Sequence, residues 1–214
     1  LKKSKDYSDP REEVTESKFP EIVKNIAIIY KQLGQNDMAL AAIETARASN
    51  PDDVGLIITA ANIYFELDDK EAFKLAMSEA IEKEPNNPIL YYNLGVVSGE
   101  LGEKESARTY YEKSIELDPT NENSYLNLVA LILDGEQEIV NEMNSLGTSR
   151  SDNLRYDELK ITREELYKEC VPILKDLIAI SNDIEAIRTL MNIYGTLGDN
   201  PGYMEMKNLL DQLQ

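Results

Sequence analysis

Apolar side chains recur along this chain at intervals of three and four residues, as in Val23, Ala27 and Tyr30 or Ile57, Ala61 and Tyr64. That spacing keeps one face of an α-helix apolar and does not suit the alternation of a strand. The pattern also repeats. Displaced by 34 residues, the sequence matches itself: Pro51, Pro85 and Pro119 fall in one column, Leu33, Leu67 and Leu101 in another, and Ala46, Ala80 and Ser114 in a third. Ala39, Phe73 and Ala107 share a column, with Ile43, Met77 and Tyr111 four residues on. Asn25, Thr59, Asn93 and Asn127 form a polar ladder. A fixed period of this length marks stacked helical hairpins.

Each column has a physical reason in a hairpin. Proline closes the second helix because it has no amide hydrogen and disfavours helix at the preceding residue. Gly34 and Gly102 stand where the first helix must reverse through a left-handed residue, and Asp68 takes that place less comfortably in the second repeat. Small residues at Ala27, Ala61 and Gly95 let helices approach, while Val23, Tyr30, Ile57, Tyr64, Tyr91 and Tyr125 fill the space between them. The columns place repeats at 20–53, 54–87 and 88–121, after a polar linker at 1–19.

A fourth repeat begins at Glu122, and there the register breaks. Tyr194-Gly195-Thr196-Leu197-Gly198 repeats Tyr30-Lys31-Gln32-Leu33-Gly34 at a distance of 164 residues, four periods with 28 left over. We assign repeat four to 122–183 with an insert at about 135–162, and 184–214 to a terminal repeat or cap. Cys170, Leu174 and Leu177 mark the delayed second helix, with the thiol in the small-residue column as a buried, inert group. Thr162 with Glu165 makes a capping-box pattern that predicts its start near Arg163. Pro172 predicts a kink or an early turn. The insert itself reads either as a functional excursion or as a short helix, 136–146, folded back on the stack. The expected fold is all-α, a right-handed α-α superhelix of four to five hairpins with the fourth interrupted.

The third repeat, Pro88 to Asn121, carries Tyr91, Leu94-Gly95, Leu101-Gly102, Ala107, Tyr111 and Pro119, and in these it resembles the tetratricopeptide repeat family. The resemblance implies a binding scaffold, although one scaffold serves many partners. At a finer level, Thr15 to Lys18, Pro20 to Tyr30 and Glu142 to Arg150 resemble exported tetratricopeptide proteins of Bacteroidetes. That implies a parent with a signal sequence and further repeats, placed in the periplasm or outside the cell. The chain opens on Leu1 with no signal peptide, so we read it as a processed product or an excised fragment.

Forty acidic against 22 basic residues give a net charge of -18. Such a surface repels phosphate backbones and anionic lipid, so no nucleic-acid partner is expected. No apolar run approaches the length of a transmembrane helix. Histidine is absent and Cys170 is the one cysteine, which removes serine-histidine and cysteine-histidine catalysis within this chain and leaves no multi-thiolate metal site. No phosphate-binding or dinucleotide glycine pattern occurs, and neither a cofactor nor a metal is expected.

The first helix of each hairpin lines the concave face of such a stack. The groove-facing candidates are Lys24, Asn25 and Ile28, then Ile58, Asn62 and Phe65, then Tyr92, Asn93 and Val96, and finally Leu126, Asn127 and Ala130. The three asparagines 25, 93 and 127 could bond neighbouring helices or a ligand backbone. This mixture of apolar, aromatic and amide groups suits an extended peptide or helix, with Tyr92 and Phe65 as anchors. Tetratricopeptide modules that clamp a terminal carboxylate use two lysines, an arginine and two asparagines here. Only Lys24 and Asn62 match, with Ile28, Tyr92 and Val96 elsewhere, so that mode is not expected. Arg150, Arg155 and Tyr156, with Lys160, make the insert a second candidate site. The expected function is a non-catalytic protein- or peptide-binding scaffold, with self-association as a further possibility. The alternative is a carbohydrate- or enzyme-associated envelope module, which needs two carboxyls across a cleft with one pKa raised.

Overall fold

A computed structural model describes residues 19–213, and every regular element among them is an α-helix. The linker expected at 1–19 lies outside the described residues, except that Phe19 opens the first helix. In chain order the helices are α1 (Phe19–Gln32), α2 (Asn36–Ser49), α3 (Val54–Glu66), α4 (Lys70–Lys83), α5 (Pro88–Glu100), α6 (Lys104–Leu117), α7 (Glu122–Leu133), α8 (Glu136–Ser145), α9 (Arg150–Ser181), α10 (Ile184–Leu197) and α11 (Asn200–Leu213). The described residues fall into two compact units that divide after Ala76, within α4. None of these helices is long and apolar enough to cross a membrane.

In the first unit α1 packs on α2, and α3 packs on both. Val23 and Ala27 of α1 meet Ala39, Ile43 and Ala46 of α2, and α3 adds Leu56, Ala60 and Ile63. In the second unit α5 pairs with α6, and the packing continues from α6 to α7, from α7 to α9, from α9 to α10 and from α10 to α11. Its core runs from Ala107 and Tyr111 through Leu128, Cys170 and Leu174 to Ile187 and Leu190.

The same turn closes four hairpins. Gly34, Asp68, Gly102 and Gly198 have φ of 71°, 58°, 76° and 73°, as the columns require. Each donates its N–H three residues back, and the next residue donates five back: Gly34 to Lys31 at 2.9 Å and Gln35 to Tyr30 at 2.9 Å, with equivalent pairs at 68–69, 102–103 and 198–199. This satisfies carbonyls that a helix end leaves open. The fourth repeat lacks it. There the left-handed residue is Gly135, φ 93°, which caps the start of α8 instead.

Other columns act at the opposite hairpin end. Asp53 and Asn87 cap α3 and α5 by accepting from the Leu56 and Ile89 amides, a contact worth about 1 kcal/mol. Tyr91 and Tyr125, one period apart, each donate a hydroxyl hydrogen to the carbonyl of the proline six residues earlier, Pro85 and Pro119, at 3.0 and 3.2 Å. Gly95 sits against the Tyr111 ring so closely that a Cβ there would lie 2.6 Å from two ring carbons.

The start of the delayed helix differs from expectation. α9 runs unbroken for 32 residues from Arg150, and its capping box is Ser149 with Asp152. Thr162 lies within the helix and donates to the Glu158 carbonyl at 3.1 Å, so it caps nothing. Leu159 explains why: it is only 5% exposed, which rewards helix on the near side of Thr162 as well. Pro172 lies inside α9 and does not end it. Cys170 is fully buried, and burial pushes its thiol up to about 12, so it stays protonated at neutral pH.

Candidate functional site

In the first unit the candidate residues divide by how firmly they are held. Lys24 reaches across the start of α3, with its Nζ 3.8 Å from Asp53 and 2.5 Å from Glu21. Gly55 makes room for it, since a Cβ there would lie 2.7 Å from that nitrogen. The ammonium therefore ties α1 to the cap of α3. Asn25 and Asn62 are exposed, and their side chains make no hydrogen bond among the described residues. Ile28 is exposed at 45%, Ile58 is half-buried, and Phe65 is exposed at 42% with its ring 5.7 Å from Phe73.

In the second unit Asn127 answers the question its ladder raises: its amide donates to the Tyr92 hydroxyl at 3.3 Å, joining α7 to α5. Tyr92 is half-buried, and its ring lies 6.3 Å from that of Tyr111. Tyr111 is only 5% exposed, and burial with the neighbouring Tyr92 lifts its pKa to about 12. Asn93 and Val96 are half-buried, while Leu126 and Ala130 are exposed. Of the predicted anchors, then, Tyr92 is also part of the joint between two helices.

Arg155 is committed within the insert. Its Nε and one Nη meet the two Glu142 oxygens at 2.7 and 3.2 Å, a fork-to-fork pair holding α9 to α8. The Arg155 bond holds the Glu142 carboxyl below its ordinary range. Arg150 is exposed at the first turn of α9, and Tyr156 is exposed at 44%.

A constellation absent from the sequence reading lies where the insert meets α10. A cleft of about 330 Å³ is lined by Leu133, Glu136, Arg163, Tyr167, Thr189, Asn192, Ile193 and Thr196. Glu136 opens α8, and its Oε1 accepts from Arg163 Nε at 2.9 Å and from the Tyr167 hydroxyl. The guanidinium also lies over the Tyr167 ring, 5.1 Å from its centroid. Burial first, then the Glu136 carboxylate, lifts the Tyr167 pKa to about 12. Opposite this knot, Thr189 and the exposed Asn192 have no side-chain hydrogen bond among the described residues. The repeat could have revealed these two. Carrying the 164-residue offset onward from Tyr194 puts Asn192 in the column of Ile28 and Thr189 in that of Asn25. Glu136, Arg163 and Tyr167 had no such signal, because their meeting depends on the path of the insert.

The chemistry here is hydrogen bonding around one ion pair. The resolved carboxyl shifts go down, at Asp118 through its Thr120 bonds and at Glu142 through Arg155, opposite to a raised general acid. Among the described residues no group of His, Cys, Asp and Glu is placed to hold a metal ion.

Residues 25–53 and 89–121 match the tetratricopeptide repeat as a family. No curated protein matches the sequence. Among solved structures the chain is similar to MamA, at 15% identity and a TM-score of 0.60, with 90% of each chain covered. It is similar to YrrB, described as a TPR protein with an unusual peptide-binding site, at 15% identity and a TM-score of 0.58, covering 90% of this chain and 84% of the other. A putative protein binding protein from Bacteroides ovatus aligns at 19% identity and a TM-score of 0.56, covering 84% of this chain and 98% of the other. At these identities the likeness shows the fold.

Proposed function

We propose that this tetratricopeptide-repeat chain is a non-catalytic scaffold that binds an extended segment of another protein, with the backbone of that segment held in the cleft between the insert and α10. The observation that carries the reading is the pairing of the Glu136–Arg163–Tyr167 knot with the uncommitted Asn192 amide and Thr189 hydroxyl across one cleft. A side-chain amide offers a donor and an acceptor side by side, which is what a peptide unit presents in return. The cleft carries one carboxylate and one guanidinium already joined, so a neutral backbone suits it better than a free ion. The peptide-binding site in the description of YrrB supports the class of ligand. The periplasmic or exported setting implied by family resemblance belongs to the same proposal, and fractionation of the native host would test it.

The experiment is selection from a displayed library of random peptides, followed by fluorescence anisotropy with the selected sequences. Asn192→Ala removes an exposed side chain that holds no other element and should weaken binding about tenfold, the value of one lost amide pairing. Phe65→Ala and Tyr92→Phe report on the other two candidate faces. Failure to select any peptide would overturn the scaffold reading. Selected peptides that ignore Asn192→Ala would move the site away from this cleft.

A further inference from the structure

A groove of about 360 Å³ lies between α6 and α9, over α7. Tyr125 and Leu128 of α7, 5% and 3% exposed, form its floor, and Ile115, Pro172 and Ile173 form its apolar walls. Arg108 closes one end: its Nε lies 2.9 Å from Glu112, and an Nη meets Glu169. Asp176 stands at the other end, two turns or about 10 Å along α9 from Glu169. Its side chain makes no hydrogen bond or ion pair among the described residues. Burial first, then the Asp176 and Asp118 carboxylates, raises the Tyr125 pKa, so this open charge bears on the floor of the groove. The acid is particular to this place. One repeat earlier Glu112 answers to Ser78, and with Cys170 set over Ala107, Glu169 and Asp176 answer to Ser106 and Lys113.

We infer that this groove receives an arginine side chain of a partner protein, with its aliphatic stem on the apolar floor and its guanidinium on Asp176. The three carboxylates Glu112, Glu169 and Asp176 outnumber the one guanidinium of Arg108, which turns an anionic group away. A wholly apolar side chain would fill the floor but strip water from Asp176 and leave it unpaired. A long side chain with an apolar stem and a cationic head meets both demands. Both Asp176 oxygens are open, and an arginine fork takes two oxygens where a lysine meets them as a single point. Arg108 repels the incoming head and so directs it to the Asp176 end. The groove shares no lining residue with the cleft at Asn192, so it is a second point of attachment, independent of the first.

The probe is the blocked tripeptide acetyl-Ala-Arg-Ala-amide. It is titrated to about 20 mM into the whole chain and followed by backbone amide NMR shifts, because a single side chain in an open groove binds with a dissociation constant on the order of 1 mM. The shifts should fall at residues 108–115, 125–128 and 169–176. Citrulline in place of the arginine keeps the length and loses the charge, and should weaken binding about threefold or more. Asp176→Asn should do the same, with the rest of the spectrum unchanged, because the carboxylate it removes is exposed and holds no other element. Asp211→Asn, at an exposed acid of α11, should leave the titration as it is, and so should Asn192→Ala. A peptide that produces no saturable shift overturns the proposal. So does citrulline that binds as well as arginine, affinity that survives Asp176→Asn, or an equal loss in Asp211→Asn, which marks general attraction to an acidic surface. Shifts confined to the Asn192 cleft overturn it too, and leave the peptide-binding reading of that cleft standing.

Discussion

Replacing Gly95 by alanine sets two opposing effects against each other. In the middle of α5 the change favours helix by about 1 kcal/mol, because glycine has more backbone freedom to lose on folding. Against this, the added Cβ would sit 2.6 Å from both Cδ1 and Cε1 of Tyr111 and 3.1 Å from Cζ. These are ring atoms, so the whole tyrosine must move. It is only 5% exposed, in a core with Leu128 and Val129, and the Tyr92 ring lies beside it. Overpacking of this kind costs about 1–3 kcal/mol, so after the propensity gain the net effect should be a loss of about 1 kcal/mol, and at most about 2 kcal/mol. Gly99 supplies the control. One turn later in the same helix, its added Cβ would meet Ala107 and Tyr111 atoms at an ordinary 3.9 Å. Gly99→Ala should therefore gain up to about 1 kcal/mol from propensity alone. Urea unfolding followed by far-ultraviolet circular dichroism gives both numbers. Tyr111→Leu added to Gly95→Ala should recover part of the loss, seen as a coupling of about 1 kcal/mol in the double-mutant cycle. A Gly95→Ala chain as stable as wild type, or a destabilised Gly99→Ala chain, would refute the argument that ring contact makes this glycine necessary.

The turn column and the buried tyrosines extend the test. Gly102→Ala, whose Cβ would meet nothing within 4 Å, should lose about 1 kcal/mol through backbone strain alone, while Asp68→Gly should gain up to about 0.5 kcal/mol in the same urea assay. Tyr111 and Tyr167 have pKa values raised from 10.0 to about 12, and Cys170 from 9.0 to about 12. Folding thus favours their protonated forms. Their contribution is whole below the unfolded values and disappears as pH climbs toward 12, by up to about 3 kcal/mol for each tyrosine. Urea midpoints should fall steadily from about pH 9, and Tyr111→Phe should flatten the decline above pH 10.

Most of the architecture was legible because each repeat column encodes a local necessity. A left-handed residue at 34, 68 and 102, a proline two residues beyond each second helix, and a small residue facing a ring at 95 are steric statements that hold in any surroundings. The start of α9 was not legible. Thr162 and Glu165 have the form of a cap, but a cap acts only if the chain turns there, and Leu159 on one side with Tyr167 on the other both gain by burial on a continuous helix. Position on a face was similarly readable for Asn127, whereas its choice between ligand and neighbour depended on the reach of Tyr92 from 35 residues away. The knot at Glu136 joins residues 27 and 31 apart through a segment with no repeat to align it.

The length of α9 has a mechanical consequence. At 1.5 Å per residue its 32 residues make a rod of about 48 Å. Its later half is wedged between α7 and α10, and its earlier half carries α8 outward. Pro172 removes one rung of the hydrogen-bond ladder inside the wedged portion, so the rod is softest near its anchorage. Nine and five residues before that proline, Arg163 and Tyr167 brace the rod from the side through their bonds to Glu136. The projecting half of the rod, with Arg150 and Tyr156 on it, is therefore joined through this strut to the wall that faces Asn192.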